Sequence, residues 1–395
     1  MSDEVTDVSS QGWLSRIGES IKGILVGGVL FLLAFPLLWW NEGRAVQTYK
    51  SLQEGRGAVV SVPAEKADAA NEGRLVHLSG MATTQETLQD PLFSVTAQAI
   101  RLNRKAETYQ WVETKKSEKR KKLGGGEETV TTYSYSKDWK DKRIDSAEFK
   151  EPSGHANPAS LPFESQSWQA QRVTVGGFQL SDGLVGSIRR SVEVPFTQAG
   201  VDGLPGAVKA KARLSGSTLY VGADPSAPAV GDVRISFTKV PPADVSVIAK
   251  QVGAGLSAYQ TKAGDPLEML EPGVVTADLM FKSAEDANTM LTWVLRLVGF
   301  LVMFFGVTML LRPIRVVADV VPFFGTLVGM GLGLIAFLVA APLTLLTIAI
   351  AWIASRPVLG VTLLLVACVG FGWLIARFAR QKRIVPPPLP PALAR

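Results

Sequence analysis

Four long apolar stretches divide this chain of 395 residues, and they limit its fold more than any other feature. A helix needs about 20 apolar residues to cross the ~30 Å hydrocarbon core of a bilayer. Every backbone polar group inside lipid must be paired within its own segment, so such stretches cross as helices. The predicted spans are residues 23–40, 293–311, 327–353 and 358–376.

A polar block, residues 41–292, separates the first span from the second and is long enough for one large domain or two small ones. Strand patterns dominate it. In residues 232–240, Val233, Ile235 and Phe237 alternate with polar residues, as in a strand with one buried face. We therefore predict a membrane protein of the α+β class, with one N-terminal and three C-terminal transmembrane helices and a large β-rich domain between the first two.

Local patterns refine this outline. Residues 1–10 are polar and are expected to be disordered, and residues 45–54 predict a helix that ends at Gly55. A face of Trp13, Leu14, Ile17 and Ile21 indicates either an interfacial helix or a plain extension of the first span. The basic run 115–122 predicts a solvated hairpin tip, with contact to headgroups or a partner as the alternative.

Basic residues beside span ends favour the cytoplasmic side of a membrane. With the N-terminal segment 1–22 in the cytoplasm, the connection 312–326 and the basic, Pro-rich tail 377–395 also lie there. The β-rich domain then lies outside the cytoplasm, in a periplasm or a lumen. Basic residues that directly follow the first span oppose this orientation: Arg44, Lys50 and Arg56.

Residues that carry catalytic chemistry are scarce. The single cysteine, Cys368, lies in the fourth span, and the chain has only two histidines, His77 and His155. No nucleophile elbow or P-loop occurs, and Arg296 is the only charged residue inside a span. We predict no enzyme activity, no catalytic residues, no cofactor and no metal. The net charge of +6 suits lipid headgroups better than nucleic acid.

Two glycine pairs have the spacing that lets membrane helices approach closely. They are Gly23 with Gly27 in the first span and Gly329 with Gly333 in the third. We name these four residues as candidate helix-packing positions, although glycine is common in membrane helices generally.

A short motif occurs twice: Asn41-Glu42-Gly43-Arg44 directly after the first span, and Asn71-Glu72-Gly73-Arg74 thirty residues later. With the order of the spans, these and further segments resemble the transmembrane protein LUMA family (transmembrane protein 43). The other matching segments are Trp39-Trp40, Tyr109–Thr114, Gly154-His155 and residues 231–237. The resemblance covers nearly the whole chain.

The resemblance implies a non-enzymatic multi-pass scaffold that self-associates and organises the membrane, with the bilayer, further copies and other membrane proteins as partners. A channel or lipid-handling role of the C-terminal helices is the alternative. The eight motif residues are then structural or interaction positions, with Glu42 and Arg44 pairing at the interface. The family resides in the endoplasmic reticulum and inner nuclear membrane of eukaryotes. The composition favours a bacterial member in an inner membrane.

Overall fold

The structure is a computed structural model that describes residues 4–355 and the single residues 365, 369 and 377. It divides into two compact units. Among the described residues, the β-rich unit comprises 4–16, 48–287 and 318–323, and the helical unit comprises 17–47, 288–317 and those from 324 onward.

Three long helices dominate the helical unit. The six helices of the described chain are α1 (Trp13–Ala58), α2 (Asp182–Ser187), α3 (Gln198–Asp202), α4 (Gly206–Lys209), α5 (Ala277–Ala318) and α6 (Pro322–Ser355). Within the described chain, α1, α5 and α6 are long and apolar enough to cross a membrane. These three match the first three predicted spans. The fourth, residues 358–376, lies outside the described residues apart from Leu365 and Val369.

The β-rich unit is built from short strands and one long hairpin. The strands are β1 (Glu4–Gln11), β2 (Val60–Ser61), β3 (Leu75–Thr83), β4 (Thr87–Gln89), β5 (Thr96–Gln98), β6 (Arg101–Lys121), β7 (Glu127–Lys140), β8 (Gln166–Gln169), β9 (Thr174–Val175), β10 (Phe178–Gln179), β11 (Val192–Val194), β12 (Ala212–Ser215), β13 (Thr218–Val221), β14 (Val233–Val240), β15 (Ala243–Val252), β16 (Gly255–Ser257), β17 (Tyr259–Gln260), β18 (Pro266–Leu267) and β19 (Met269–Pro272). The predicted α+β class is therefore confirmed.

Two sheets share one hydrophobic core. The larger has the order β1-β7-β6-β14-β13-β12, with β8 and β11 paired to its inner strands, and the smaller has the order β19-β15-β16-β10-β9-β3-β2. In β14, Val233, Ile235 and Phe237 are buried as the alternation predicts. They belong to the same core cluster as Val76 and Val247 of the smaller sheet.

One ion pair lies inside this core. Arg104 of β6 donates to a carboxylate oxygen of Asp90 at 2.5 Å, and the Asp90 side chain is fully buried. The guanidinium carbon of Arg104 also lies 5.3 Å from the ring centre of Phe93. Leaving either charge buried without its partner would cost several kcal/mol, about 3–5 in comparable cases.

Several local expectations were wrong. Residues 4–11 form a strand that pairs with β7, because the edge of β7 supplies the hydrogen bonds that a polar segment lacks alone. The first span is one helix from Trp13 to Ala58, so of the two alternatives for the face at Trp13 the plain extension is confirmed and the separate interfacial helix is wrong. Gly55 does not end the helix, which continues to Ala58. A Cβ at position 55 would collide with Leu267 and Phe281, so the glycine allows these side chains to pack closely. Most of the basic run 115–122 belongs to strand β6, and the turn of the hairpin occupies only residues 122–126.

Candidate functional site

The first copy of the repeated motif, Asn41–Arg44, lies within α1, in the helical unit. Asn41 and Glu42 are fully buried there although they are polar. A buried charge is costly unless it is paired and hydrogen bonded, so their contacts decide what the motif does.

Glu42 binds two other helices. Arg296 of α5 donates from Nε to Glu42 Oε1 at 2.7 Å and from Nη2 to Oε2 at 2.8 Å, which is a bidentate pair. Trp352 of α6 donates its Nε1–H to Oε2. The Arg296 guanidinium also stacks near the rings of Trp293 and Trp352, at 4.7 and 5.4 Å. One carboxylate therefore joins α1, α5 and α6 through charge-assisted hydrogen bonds.

The neighbouring motif residues extend this contact along α5. Asn41 Nδ2 donates to the carbonyl oxygen of Thr292 at 3.1 Å. Arg44 donates to Asn288 Oδ1 at 2.9 Å and to Thr292 Oγ1 at 3.1 Å, and it also contacts Asn41. We call the whole group the polar centre; its members are Asn41, Glu42, Arg44, Asn288, Thr292, Arg296 and Trp352.

The expected pairing of Glu42 with Arg44 was wrong. Residues two apart on a helix point to different faces, so these two side chains cannot meet. Arg44 binds only neutral acceptors within the described chain, and its Nε is buried without a partner. The polar centre contains one anionic side chain, Glu42, and two cationic ones, Arg44 and Arg296. The polar centre therefore carries one net positive charge.

The second copy of the motif has a different role. It lies in the β-rich unit, where Asn71 ends a short 3₁₀ turn and Gly73 adopts φ +74°, a conformation that favours glycine. Glu72 accepts a hydrogen bond from the backbone N–H of Gly253 at 2.8 Å, and Arg74 donates to Asn71. The second copy shapes an exposed turn, and the structure does not bring it into the polar centre.

The four candidate packing glycines also differ. A Cβ on Gly27 would lie 2.8 Å from Met309 Cβ and 2.9 Å from Gly306 O, so α1 and α5 approach closely there. A Cβ on Gly329 would lie 2.7 Å from Arg315 Nε. A Cβ on Gly23 or Gly333 would have nothing within 4 Å, so neither glycine lies in a close contact with another described helix.

Both histidines serve the structure of the β-rich unit. His77 on β3 lies 2.9 Å from the carbonyl oxygen of Val275 and 3.2 Å from Ser61 Oγ. His155 stacks on Tyr135 at 3.9 Å between ring centres. Within the described chain, no group of three His, Cys, Asp or Glu residues has the geometry of a metal site.

The basic run ends in an ion-paired cluster within the β-rich unit. Lys121 and Arg16 both bind the carboxylate of Asp319, the latter at 2.7 Å, and Arg16 lies 3.4 Å from Glu127. Burial opposes ionisation of Asp319, but the hydrogen bonds from Lys121 and Arg16 prevail and lower its pKa. This contact requires residues 121 and 319 to share one side of a membrane, whereas the charge-based orientation separates them. The sidedness of each segment stays a prediction.

Sequence reasoning named Asn41, Glu42 and Arg44 but missed Asn288, Thr292 and Trp352. One signal was available: Arg296 is the only charge inside a predicted span, and a charge at that depth needs a partner. Asn288, Thr292 and Trp352 carried no comparable signal, because all three are uncharged and tryptophan is ordinary at membrane interfaces.

Comparison with known proteins identifies the family of this chain. Residues 108–357 match the family model described as Transmembrane protein 43. Mouse Transmembrane protein 43 is 37% identical over 365 residues, which cover 90% of each chain, and the rat protein is 38% identical over the same length. The Drosophila melanogaster homolog is 32% identical over 391 residues, 94% of this chain and 100% of that protein. No solved structure matches the chain significantly. The chain therefore belongs to the transmembrane protein 43 family.

Proposed function

We propose that this protein is a non-enzymatic, multi-pass membrane scaffold that associates with further copies of itself and organises the surrounding bilayer and other membrane proteins. A bacterial inner membrane is its proposed location, or the endoplasmic reticulum or inner nuclear membrane in a eukaryotic cell. The β-rich unit is the part available for contact with partners outside the bilayer.

The polar centre is the observation that supports this proposal. Charges inside membrane helices usually serve transport or catalysis, which require a group that can change its partner or its proton. Here Glu42 accepts three hydrogen bonds from two other helices, and its side chain is 2% exposed. Such a saturated carboxylate suits a rigid anchor, because its oxygens are already bound to Arg296 and Trp352.

Open glycine faces support self-association. Gly333 lies one turn beyond Gly329 on α6, and nothing described lies within 4 Å of a Cβ built on it. Small residues on an outer helix face let a second helix approach closely in lipid. Gly333 is therefore the proposed contact between copies.

Mass photometry of the full-length protein in nanodiscs and in detergent tests the proposal. We expect oligomers whose fraction rises with concentration. Gly333→Leu should reduce that fraction, while the control Gly57→Leu adds the same side chain at an equally open position of α1 within the β-rich unit and should leave it unchanged. A strict monomer at every concentration contradicts self-association.

A lipid-handling role is the second candidate, and one observation favours it. An apolar groove of about 340 Å³ lies between α1 and α6, lined by Phe35, Pro36, Trp39, Leu343, Leu346, Thr347 and Ile350. We call it the α1–α6 groove. Transfer of fluorescent phospholipid between vesicles by the purified protein would distinguish this role, since a pure scaffold gives no transfer above the background rate.

A further inference from the structure

We infer that the α1–α6 groove is a binding site for one anionic glycerophospholipid, with an acyl chain in the groove and its phosphate at Arg296. This inference goes beyond the scaffold role and does not depend on it. The lining of the groove, its distance from the polar centre and the charge there support this inference.

The surface that lines the groove is apolar. Two lining residues have a polar side-chain group, Trp39 and Thr347, and the Thr347 hydroxyl donates to the carbonyl oxygen of Leu343 at 2.7 Å. A volume of about 340 Å³ lies within the usual range of ligand pockets, about 300–1,000 Å³. Trp39, Leu346 and Ile350 remain 43–48% exposed, so the groove opens outward from the helices. An open apolar groove on membrane-spanning helices suits a hydrocarbon chain.

The polar centre lies one turn from the end of this groove. Trp39 lines the groove, and Glu42 follows it at i+3 on the same face of α1, which is a rise of ~4.5 Å. On α6, Ile350 lines the groove and Trp352 binds Glu42. The groove therefore leads toward charged groups, as a lipid requires, since its polar headgroup is attached directly to its acyl chains.

The charge at that end selects an anion. Arg296 uses Nε and Nη2 for Glu42, and its Nη1 has no acceptor among the described residues, while the side chain keeps 13% exposure. The polar centre carries a net charge of +1 because Arg44 has no acidic partner there. A phosphate oxygen can accept from the free Nη1, in the manner in which arginine commonly binds phosphate.

Exposed tryptophans place this point at the depth of lipid headgroups. Trp39, Trp40 and Trp293 are 47%, 56% and 63% exposed, and they surround the polar centre in sequence on α1 and α5. Tryptophan rings concentrate at the boundary between hydrocarbon and water. The phosphate and glycerol of a phospholipid occupy that same layer.

Native mass spectrometry of the full-length protein tests the inference. The protein is stripped of lipid by detergent exchange and titrated with phosphatidylglycerol or with phosphatidylcholine of the same acyl chains. We expect one phosphatidylglycerol per chain, bound on the order of fivefold more tightly than phosphatidylcholine, the preference that one basic residue confers near a membrane surface. Equal binding of the two lipids overturns the inference.

Groove-filling variants locate the site. Leu346→Trp occupies the groove and should weaken phosphatidylglycerol binding at least about tenfold, since several buried methylene groups lose their contacts. Leu345→Trp makes the same change on the adjacent residue, which is 68% exposed and does not line the groove, and should bind as the wild type does. Ile350→Trp provides a second groove variant and should behave like Leu346→Trp.

Unchanged binding by both groove variants overturns the inference. The inference is also overturned if Leu346→Cys cross-links two copies of the lipid-free protein, because a second copy then covers the groove. The same spectra report oligomeric state. A monomer that binds phosphatidylglycerol would refute the self-associating scaffold and support the lipid site. An oligomer that binds no lipid would refute the lipid site and support the scaffold.

Discussion

Replacing Glu42 by glutamine should destabilise the contact among α1, α5 and α6 by about 2–4 kcal/mol. The glutamine side chain has nearly the same shape but no charge. The amide has one acceptor oxygen where the carboxylate has two, so glutamine keeps at most one of the two hydrogen bonds from Arg296, and losing the other costs ~1–2 kcal/mol. Its amide NH₂ also faces a donor where an oxygen accepted before, which leaves a buried donor unsatisfied at a further ~1–2 kcal/mol.

A double-mutant cycle measures this directly. Glu42→Gln, Arg296→Met and the double variant are unfolded reversibly in bicelles by titration with sodium dodecyl sulfate, followed by circular dichroism. We expect a coupling energy of about 2 kcal/mol between the two residues, above the ~0.6 kcal/mol average for neutral hydrogen bonds between membrane helices. Asp286→Asn is the control, because Asp286 is exposed and its change should stay within ~0.5 kcal/mol. A coupling energy below ~0.5 kcal/mol would refute the reasoning.

Three further predictions concern other parts of the chain. Gly27→Leu should destabilise by about 1–3 kcal/mol through overpacking against α5, while Gly23→Leu has open space and should not, as the same unfolding titration checks. Burial opposes ionisation of Glu107, but the hydrogen bonds and charges of Arg234 and Lys105 prevail and lower its pKa. The stability that Glu107 contributes is therefore present above its ordinary pKa and is lost as the pH falls through the lowered pKa, so melting curves of Glu107→Gln should differ from wild type at pH 7 and converge once the pH is below that lowered pKa. Single cysteines are placed at positions 121 and 319 of a Cys-free protein in intact membranes. If the charge-based orientation holds, impermeant thiol reagents should label the two positions from opposite sides of the membrane. A disulfide between cysteines at both positions would show that Lys121 and Asp319 share one side and would overturn that orientation.

Strand β14 and the long apolar helices are elements that could be predicted from the sequence. Val233, Ile235 and Phe237 alternate with polar residues, and burial with a period of two follows from the geometry of any strand. The apolar stretches likewise exceed what a soluble helix needs to bury. Strand alternation and apolar length depend only on residues that are close in the chain, so they can be predicted from a single sequence. The family followed from motifs that the chain carries at matching positions.

Gly55 and the segment 4–11 show where such reasoning fails. A glycine after a helical pattern commonly ends a helix, but here it lets Leu267 and Phe281 approach the helix. The polar N-terminal segment becomes a strand only because β7 offers its edge. In both cases the deciding partner lies far along the chain, and local propensity does not report it.

The apolar stretches and strand patterns were enough to predict a membrane protein with a β-rich insertion, and the repeated motif marked Asn41–Arg44 as distinctive. The residues that Glu42 binds became known from the folded structure alone. Its partners, Arg296 and Trp352, lie 254 and 310 positions away. The adjacent Arg44 points elsewhere, because positions two apart on a helix face different directions. Charge and apolar length are properties of a segment, whereas the choice of partner depends on how separate helices pack, and that is settled only when the chain has folded.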